Sequence, residues 1–367
     1  MRIAMLTAPA TAQGPLPKLT PLLAAALRDL GCAVTLLPWG RRDERESFWQ
    51  KLVQRPADLW RARRRLDAEP VDVVVIHTAH SWTTLLRDIP LALVARGRRR
   101  AVVLHFHGSR CERLVAPGRP AFKWASSLLL ALCDAALVLS SEEQRQWQTF
   151  HPRGRFHVVR NPVQAAPPLD PAPARARFAI PGADPIALFV GRLMAAKGIL
   201  ELIAALAMQS AETPWHLLVV GDGPLEQEVR RRAAQAGVGA RLTLTGYLRG
   251  DDLRAAYQVA DLLVLPSHSE GLPLVVLEAM AAELPIVTTG IRGMADHLRD
   301  GVNALLVPPG DPAALAAALT RLLGDREARA RMGSANRERV AAFSPERVGR
   351  DYLAVLRDVV AARPARH

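Results

Sequence analysis

Asp261-Leu262-Leu263-Val264-Leu265-Pro266-Ser267-His268-Ser269-Glu270-Gly271-Leu272-Pro273-Leu274-Val275-Val276-Leu277-Glu278 is the stretch that decides how this chain folds. Asp261 to Pro266 reads as a strand buried on both faces, apolar and stopped by proline, the mark of a parallel sheet. Leu274 to Ala282 has helical composition. Ser267 to Pro273 is then a loop at the carboxyl end of a strand, where open α/β sheets bind their ligands. The amides of Glu270, Gly271 and Leu272 are expected to open the helix, whose unpaired N–H groups and dipole favour an anion such as phosphate. Glu278, two turns in, could turn back and accept hydrogen bonds from a vicinal diol. The competing reading is a solvated loop acid and a surface helix acid.

Three further strand-turn-helix junctions lie upstream: Phe189-Val190-Gly191-Arg192-Leu193 with Lys197-Gly198, Trp215 to Val220 with Gly221-Asp222-Gly223-Pro224, and Arg241 to Thr245 with Gly246-Tyr247. A later one is Ala304-Leu305-Leu306-Val307-Pro308-Pro309-Gly310-Asp311. In this order the set resembles the family 4 retaining glycosyltransferases, most strongly over residues 185–325. That resemblance implies the GT-B fold, an α/β architecture of two Rossmann-like domains with parallel sheets facing across a cleft. It implies a sugar moved from a nucleotide-sugar donor, with UDP- or GDP-sugar as substrate and no resident cofactor.

Loss of a nucleoside diphosphate builds negative charge on the β-phosphate, which a metal held by paired aspartates or fixed cations and amides must neutralise. The sequence contains no Asp-x-Asp triplet, so a metal-independent reaction with no metal ligands is expected. By resemblance, Arg192 and Lys197 form the phosphate-binding pair. Glu278 holds the ribose hydroxyls, Glu270 reaches the donor sugar, the amides of Gly271 and Leu272 hold the diphosphate, and the Tyr247-Leu248 backbone reads the base. Glu270 as a covalent nucleophile is open on chemistry alone; the family's mechanism is drawn instead as same-face attack, with the leaving phosphate taking the acceptor's proton. The family's Gly-Gly loop after the first strand is reduced here to Gln13-Gly14-Pro15, and Pro15 has no N–H to offer. Glu283 stands where a glycine is usual, and Arg292 interrupts a Gly-Gly turn.

The first half supplies His105-Phe106-His107-Gly108 at a strand end. Residues i and i+2 of a strand face one side, so a metal pair is conceivable, but no third ligand is visible in the spacing. His107 resembles the family's strand-end histidine near the donor sugar and acceptor; the other reading, a core histidine, applies more strongly to His105. His77 and His80 are weaker acceptor-side candidates. Asn161-Pro162-Val163 reads as a structural exit from the first domain.

The chain has 367 residues, which suits two domains. Apolar strands alternate with helical runs through both halves, as in parallel sheets flanked by helices. The boundaries read as 1–163 for an acceptor-binding domain, 164–185 for a proline-rich linker, and 186–344 for the nucleotide-sugar domain. By resemblance, the last helix, 345–361, crosses back onto the first. Three scattered cysteines suit a reducing cytoplasm. No run has the length of a membrane span, and the start is too short an apolar core for a secretory signal.

Residues 1–170 hold 25 basic and 14 acidic side chains, against 23 and 21 in the remainder. The excess points to an anionic partner for the first domain, or to nothing more than arginine-rich coding bias. Arg41 to Leu66 carries nine basic and four acidic residues with Phe48, Trp49 and Trp60, a composition that suits an anionic membrane surface or an ordinary surface pair of helices split at Pro56. Arg96, Arg98, Arg99 and Arg100 join that basic face or merely solvate a loop. The expected acceptor is a saccharide, lipid-linked, on the inner membrane face. Rival readings are a soluble small-molecule acceptor, or a non-catalytic subunit that binds nucleotide or glycan. Nucleic acid is not expected, since no groove-reading or base-stacking motif occurs.

Overall fold

The computed structural model describes residues 1–363 except 10, 13, 41–47, 99, 109–113, 115–117, 166–174, 181, 210–213 and 271, and gives the backbone alone for 48–55 and 292. The chain divides into two compact units, Met1–Pro162 with Phe343–His367, and Val163–Ala342. Part of the stretch expected as a linker, residues 166–174 and 181, lies outside the described residues, as do Arg41 to Arg45 and Arg99 of the basic face.

The first unit is built on β1 (Arg2–Thr7), β2 (Ala33–Pro38), β3 (Val73–Thr78), β4 (Ala101–Phe106), β5 (Ala135–Val138) and β6 (Phe156–Val158). All pair in parallel, in the order β2-β1-β3-β4-β5-β6. Successive side chains of a strand face opposite ways. Leu6, Ile76 and Leu104 therefore join Leu85, Leu91 and Trp147 on one face, while Met5, Val75 and Val103 join Leu27, Tyr352 and Leu356 on the other. Burial on both faces accounts for the unbroken apolar runs.

Helices Leu16–Asp29 and Pro345–Ala361 cover the second face. The last helix buries Val348, Tyr352, Leu356 and Val359 at helical spacing. Each buried valine or leucine of that stripe contributes about 1.5–3 kcal/mol. Gly349 lets it lie close to the first helix, since a Cβ there would stand 2.9 Å from the Ala26 methyl. The last helix thus belongs to the first unit.

The second unit is built on β7 (Ile186–Val190), β8 (His216–Val220), β9 (Leu242–Gly246), β10 (Leu262–Leu265), β11 (Ile286–Thr289) and β12 (Ala304–Val307), in the order β12-β11-β10-β7-β8-β9. These strands are parallel too. Each sheet reverses its winding once, between β1 and β3 in the first and between β7 and β10 in the second. Loops at such a switch point diverge and leave a crevice for ligand.

Two expectations need correction. One helix runs Phe48–Ala68 straight through Pro56, because proline removes a single N–H and crowds a single carbonyl, while Ala62 and Leu66 stay anchored in the core. The helix after the Glu270 loop opens at Leu274, not at the amides of Glu270 to Leu272. Pro273, at φ −65° and ψ 140°, is extended, so helical geometry starts only beyond it and the amides of Glu270 and Leu272 stay in the loop. Glu283, where the resemblance expects glycine, is exposed and adopts a left-handed φ of 58°, the conformation that favours glycine.

Candidate functional site

The second unit's site forms where β7 and β10 lie side by side. Gly191 and Leu193, just past β7, donate to the carbonyls of Val220 (3.0 Å) and Asp222 (2.8 Å), which ties this turn to the one after β8. A short 3-10 turn, Ala195–Lys197, closes on Gly198 at φ 70°. A Cβ on Gly198 would fall 2.0 Å from the carbonyl oxygen of Pro266, so only glycine lets the turn seat on the end of β10. His268 donates its backbone N–H to Ala196 at 3.0 Å, a second clasp between the same loops. Gly198→Ala is expected to destabilise the protein by about 2–4 kcal/mol, from left-handed strain plus overpacking. Chemical denaturation followed by circular dichroism checks this.

That seating brings Lys197 to Glu270, and the ammonium makes an ion pair with Glu270 Oε1. Ser267, fully buried, lies behind them with Oγ 3.4 Å from the same oxygen. Its loop is fastened from β11, where Thr289 Oγ1 donates to the Ser267 carbonyl at 2.6 Å and Thr288 Oγ1 to Leu265 at 2.7 Å. The Lys197 and Glu270 side chains retain 24% and 14% of their surface, so the pair is shielded yet reachable by a ligand. Arg192 sits exposed on the turn after β7. Leu272 is buried, and Gly271 lies outside the described residues.

Glu278, half-buried on helix Leu274–Ala281, accepts a hydrogen bond from the Tyr257 hydroxyl at 2.8 Å. Burial, then the Glu278 charge, pushes the Tyr257 phenol well above its usual range, so it remains a donor. Tyr257 was missed in the sequence. It lies on helix Gly250–Val259, and only the fold shows that this helix faces the acid. Tyr247, just past β9, keeps 40% of its surface, with the Arg249 guanidinium 5.0 Å over its ring. Leu248 follows, partly buried. Arg292's side chain is outside the described residues.

In the first unit, the turns past β3 and β4 are also joined, His107 N–H to Thr78 at 2.8 Å and His80 N–H to Gly108 at 3.2 Å. His77 and His105 are register partners on these neighbouring strands, and His107 follows on the same face. His77 Nδ1 and His107 Nε2 stand 2.8 Å apart, and His105 Nδ1 lies 3.3 Å from the Tyr352 hydroxyl. Here the third histidine that spacing did not show is supplied by strand register. Burial holds His107 down to about 3, opposed by the Asn161 side chain, and pushes His77 and His105 well below the usual range. His80 turns the other way, its Nε2 2.9 Å from Ser126 Oγ among Phe122 and Trp147, which makes it a core histidine. Gly14 sits beyond β1 at φ 110° with open space beside it.

The second unit's switch point thus gathers a cation, carboxylates and glycine turns, groups suited to an anionic, hydroxyl-bearing ligand. Residues 172–339 match the family of group 1 glycosyl transferases and residues 22–166 match Glycosyltransferase Family 4. The chain belongs to these family 4 group 1 glycosyltransferases, and its fold is GT-B. It is 30% identical over 222 residues to the alpha-D-kanosaminyltransferase of Streptomyces kanamyceticus, which covers 58% of this chain and 57% of that protein. The chain spans about half the length of the curated relatives it matches. Sucrose-phosphate synthase from Thermosynechococcus elongatus shares the fold with a TM-score of 0.80 at 22% identity, over 99% of this chain and 100% of that one. Anabaena Alr3699/HepE, solved in complex with UDP-glucose, does so with 0.76 at 19%, over 98% and 100%.

Proposed function

We propose that this chain is a retaining glycosyltransferase that moves a sugar from a UDP- or GDP-sugar to a lipid-linked saccharide, in cell-surface polysaccharide or glycolipid synthesis. The observation that carries the reading is the ion pair of Lys197 with Glu270 at the β7/β10 switch point. An arriving diphosphate draws the Lys197 ammonium, and the freed Glu270 oxygen accepts from a hydroxyl of the donor sugar. Arginine gives phosphate a planar two-point contact and lysine a compact charge, so Arg192 and Lys197 neutralise the leaving group, helped by the amides of Gly271 and Leu272. No resident metal is required in this scheme. Glu278, aimed by Tyr257, holds the ribose diol, and the backbone at Tyr247 and Leu248 reads the base. Relatives of the same fold bind UDP and UDP-glucose, which supports the donor class.

His107 stays neutral at physiological pH and offers its imidazole to sugar hydroxyls as hydrogen-bond partner, not as an acid. The acceptor's proton passes to the leaving phosphate. Gly14 approaches the donor with less amide support than a Gly-Gly loop gives, since Pro15 lacks an N–H.

The acceptor side rests on the first unit's basic excess and its exposed Trp60, Trp82 and Trp124, which suit peripheral attachment to the inner face of an anionic membrane. Among the described residues no helix is long and apolar enough to cross one. The test offers donor with acceptors either extracted into phosphatidylglycerol vesicles or free in solution. Vesicle sedimentation and transfer to the lipid-linked acceptor, with the donor's anomeric configuration kept by proton NMR, is the expected result. Full transfer to soluble acceptors without vesicle binding overturns the lipid assignment, and an inverted anomer overturns retention.

A further inference from the structure

We infer that His77, His105 and His107 form a binding site for one transition-metal dication of the zinc class. The site stands on the first unit alone and is independent of the transfer reading.

The sheet builds it. β3 and β4 are neighbours, His77 and His105 are register partners, and alternation sends both to the face covered by Tyr352. The bond from His107 N–H to Thr78 keeps the chain in step for one residue past β4, which returns a third imidazole to that face. Each ring offers a nitrogen, and the three lie within 4.8 Å of one another. A tetrahedral ion with bonds of about 2.0–2.1 Å needs ligand nitrogens about 3.3 Å apart. His77 Nδ1 and His107 Nε2 are at 2.8 Å and all three nitrogens within 4.8 Å, so side-chain rotation must spread that pair and draw the third nitrogen in.

One further observation points to a ligand: His105 Nε2, on the ring whose Nδ1 lies beside the Tyr352 hydroxyl, is sealed from solvent with no hydrogen-bond partner. A buried polar atom left so costs about 1–3 kcal/mol, and turning it onto an ion would give it one. Among the described residues these three are the one such cluster, and it contains no carboxylate. Imidazoles alone suit Zn²⁺, Cu²⁺, Ni²⁺ or Co²⁺ and do not suit Mg²⁺ or Ca²⁺, which take oxygen ligands. Tyr352, with its hydroxyl 3.3 Å from His105 Nδ1, is placed to fix that ring as outer partners of metal-bound histidines do.

Full-length protein stripped with chelator is titrated with Zn²⁺ against a chromophoric competitor, and with Co²⁺ by visible absorption. One equivalent of Zn²⁺ and an intense, low-coordinate Co²⁺ band are expected. His107→Ala, at the partly exposed strand end, should weaken uptake at least about tenfold while thermal unfolding stays cooperative, and Tyr352→Phe should weaken it by about tenfold. No stoichiometric uptake, or uptake unchanged in His107→Ala, would overturn the site and leave three histidines bonded only to one another and to Tyr352.

Discussion

Replacing Lys197 by methionine is expected to lower turnover by about 10²–10³, the usual effect of removing one fixed donor to charge that develops in a transition state. Methionine keeps the length of the stem and loses the ammonium, so the 3-10 turn and its seat on Pro266 survive. Charge grows on the leaving phosphate only as the glycosidic bond breaks. The loss should therefore fall on kcat more than on KM. Glu270 would be left without its partner, and the double variant Lys197→Met with Glu270→Gln separates the two roles. If Glu270 serves only to hold Lys197, the second substitution adds nothing; if it also contacts the sugar, turnover falls further. Steady-state release of nucleoside diphosphate, measured for both variants, decides. Unchanged kcat in Lys197→Met would remove the cation from the mechanism.

The second large effect is on donor binding. Glu278→Ala should weaken the nucleotide sugar by about 10–100-fold, the equivalent of the 1.5–3 kcal/mol carried by hydrogen bonds to a charged group. Tyr257 makes this more than the loss of one carboxylate, because its hydroxyl at 2.8 Å holds Glu278 in one rotamer. Tyr257→Phe keeps the acid but removes this one bond to it, and should show a smaller loss in the same titration. Calorimetry with wild type and both variants gives the order wild type, Tyr257→Phe, Glu278→Ala. Free nucleoside diphosphate should lose as much as the intact donor, since Glu278 is assigned to the ribose. A loss seen only with the sugar attached would move Glu278 to the sugar subsite.

What could be read from the chain divides along a physical line. Strands such as Asp261 to Pro266 and Val73 to Thr78 were legible because strands buried on both faces write themselves as unbroken apolar runs. Glu270 and Lys197 were legible because each closely follows such a run, and Glu278 because it sits in the first turns of the helix after it. Pairings across elements were not. Tyr257 lies 21 residues before Glu278, on a helix with no feature that marks its hydroxyl as a partner. His77 and His105 meet because β3 and β4 pair in a particular register, and register is set by the packing of whole sheets. Pro56 misled for a related reason. Its local cost is real, but Ala62 and Leu66 bury on the far side of it and the helix persists. Glu283 went the other way, since the resemblance expected glycine and the backbone kept glycine's conformation under a different side chain.

The most direct test is a calorimetric titration of UDP- and GDP-sugars into the full-length protein in EDTA. The account predicts that one donor binds one to one without any divalent ion. Binding that appears only with added Mg²⁺ would contradict the assignment of the diphosphate to Arg192 and Lys197. No binding of any donor under either condition would contradict the transferase reading as a whole.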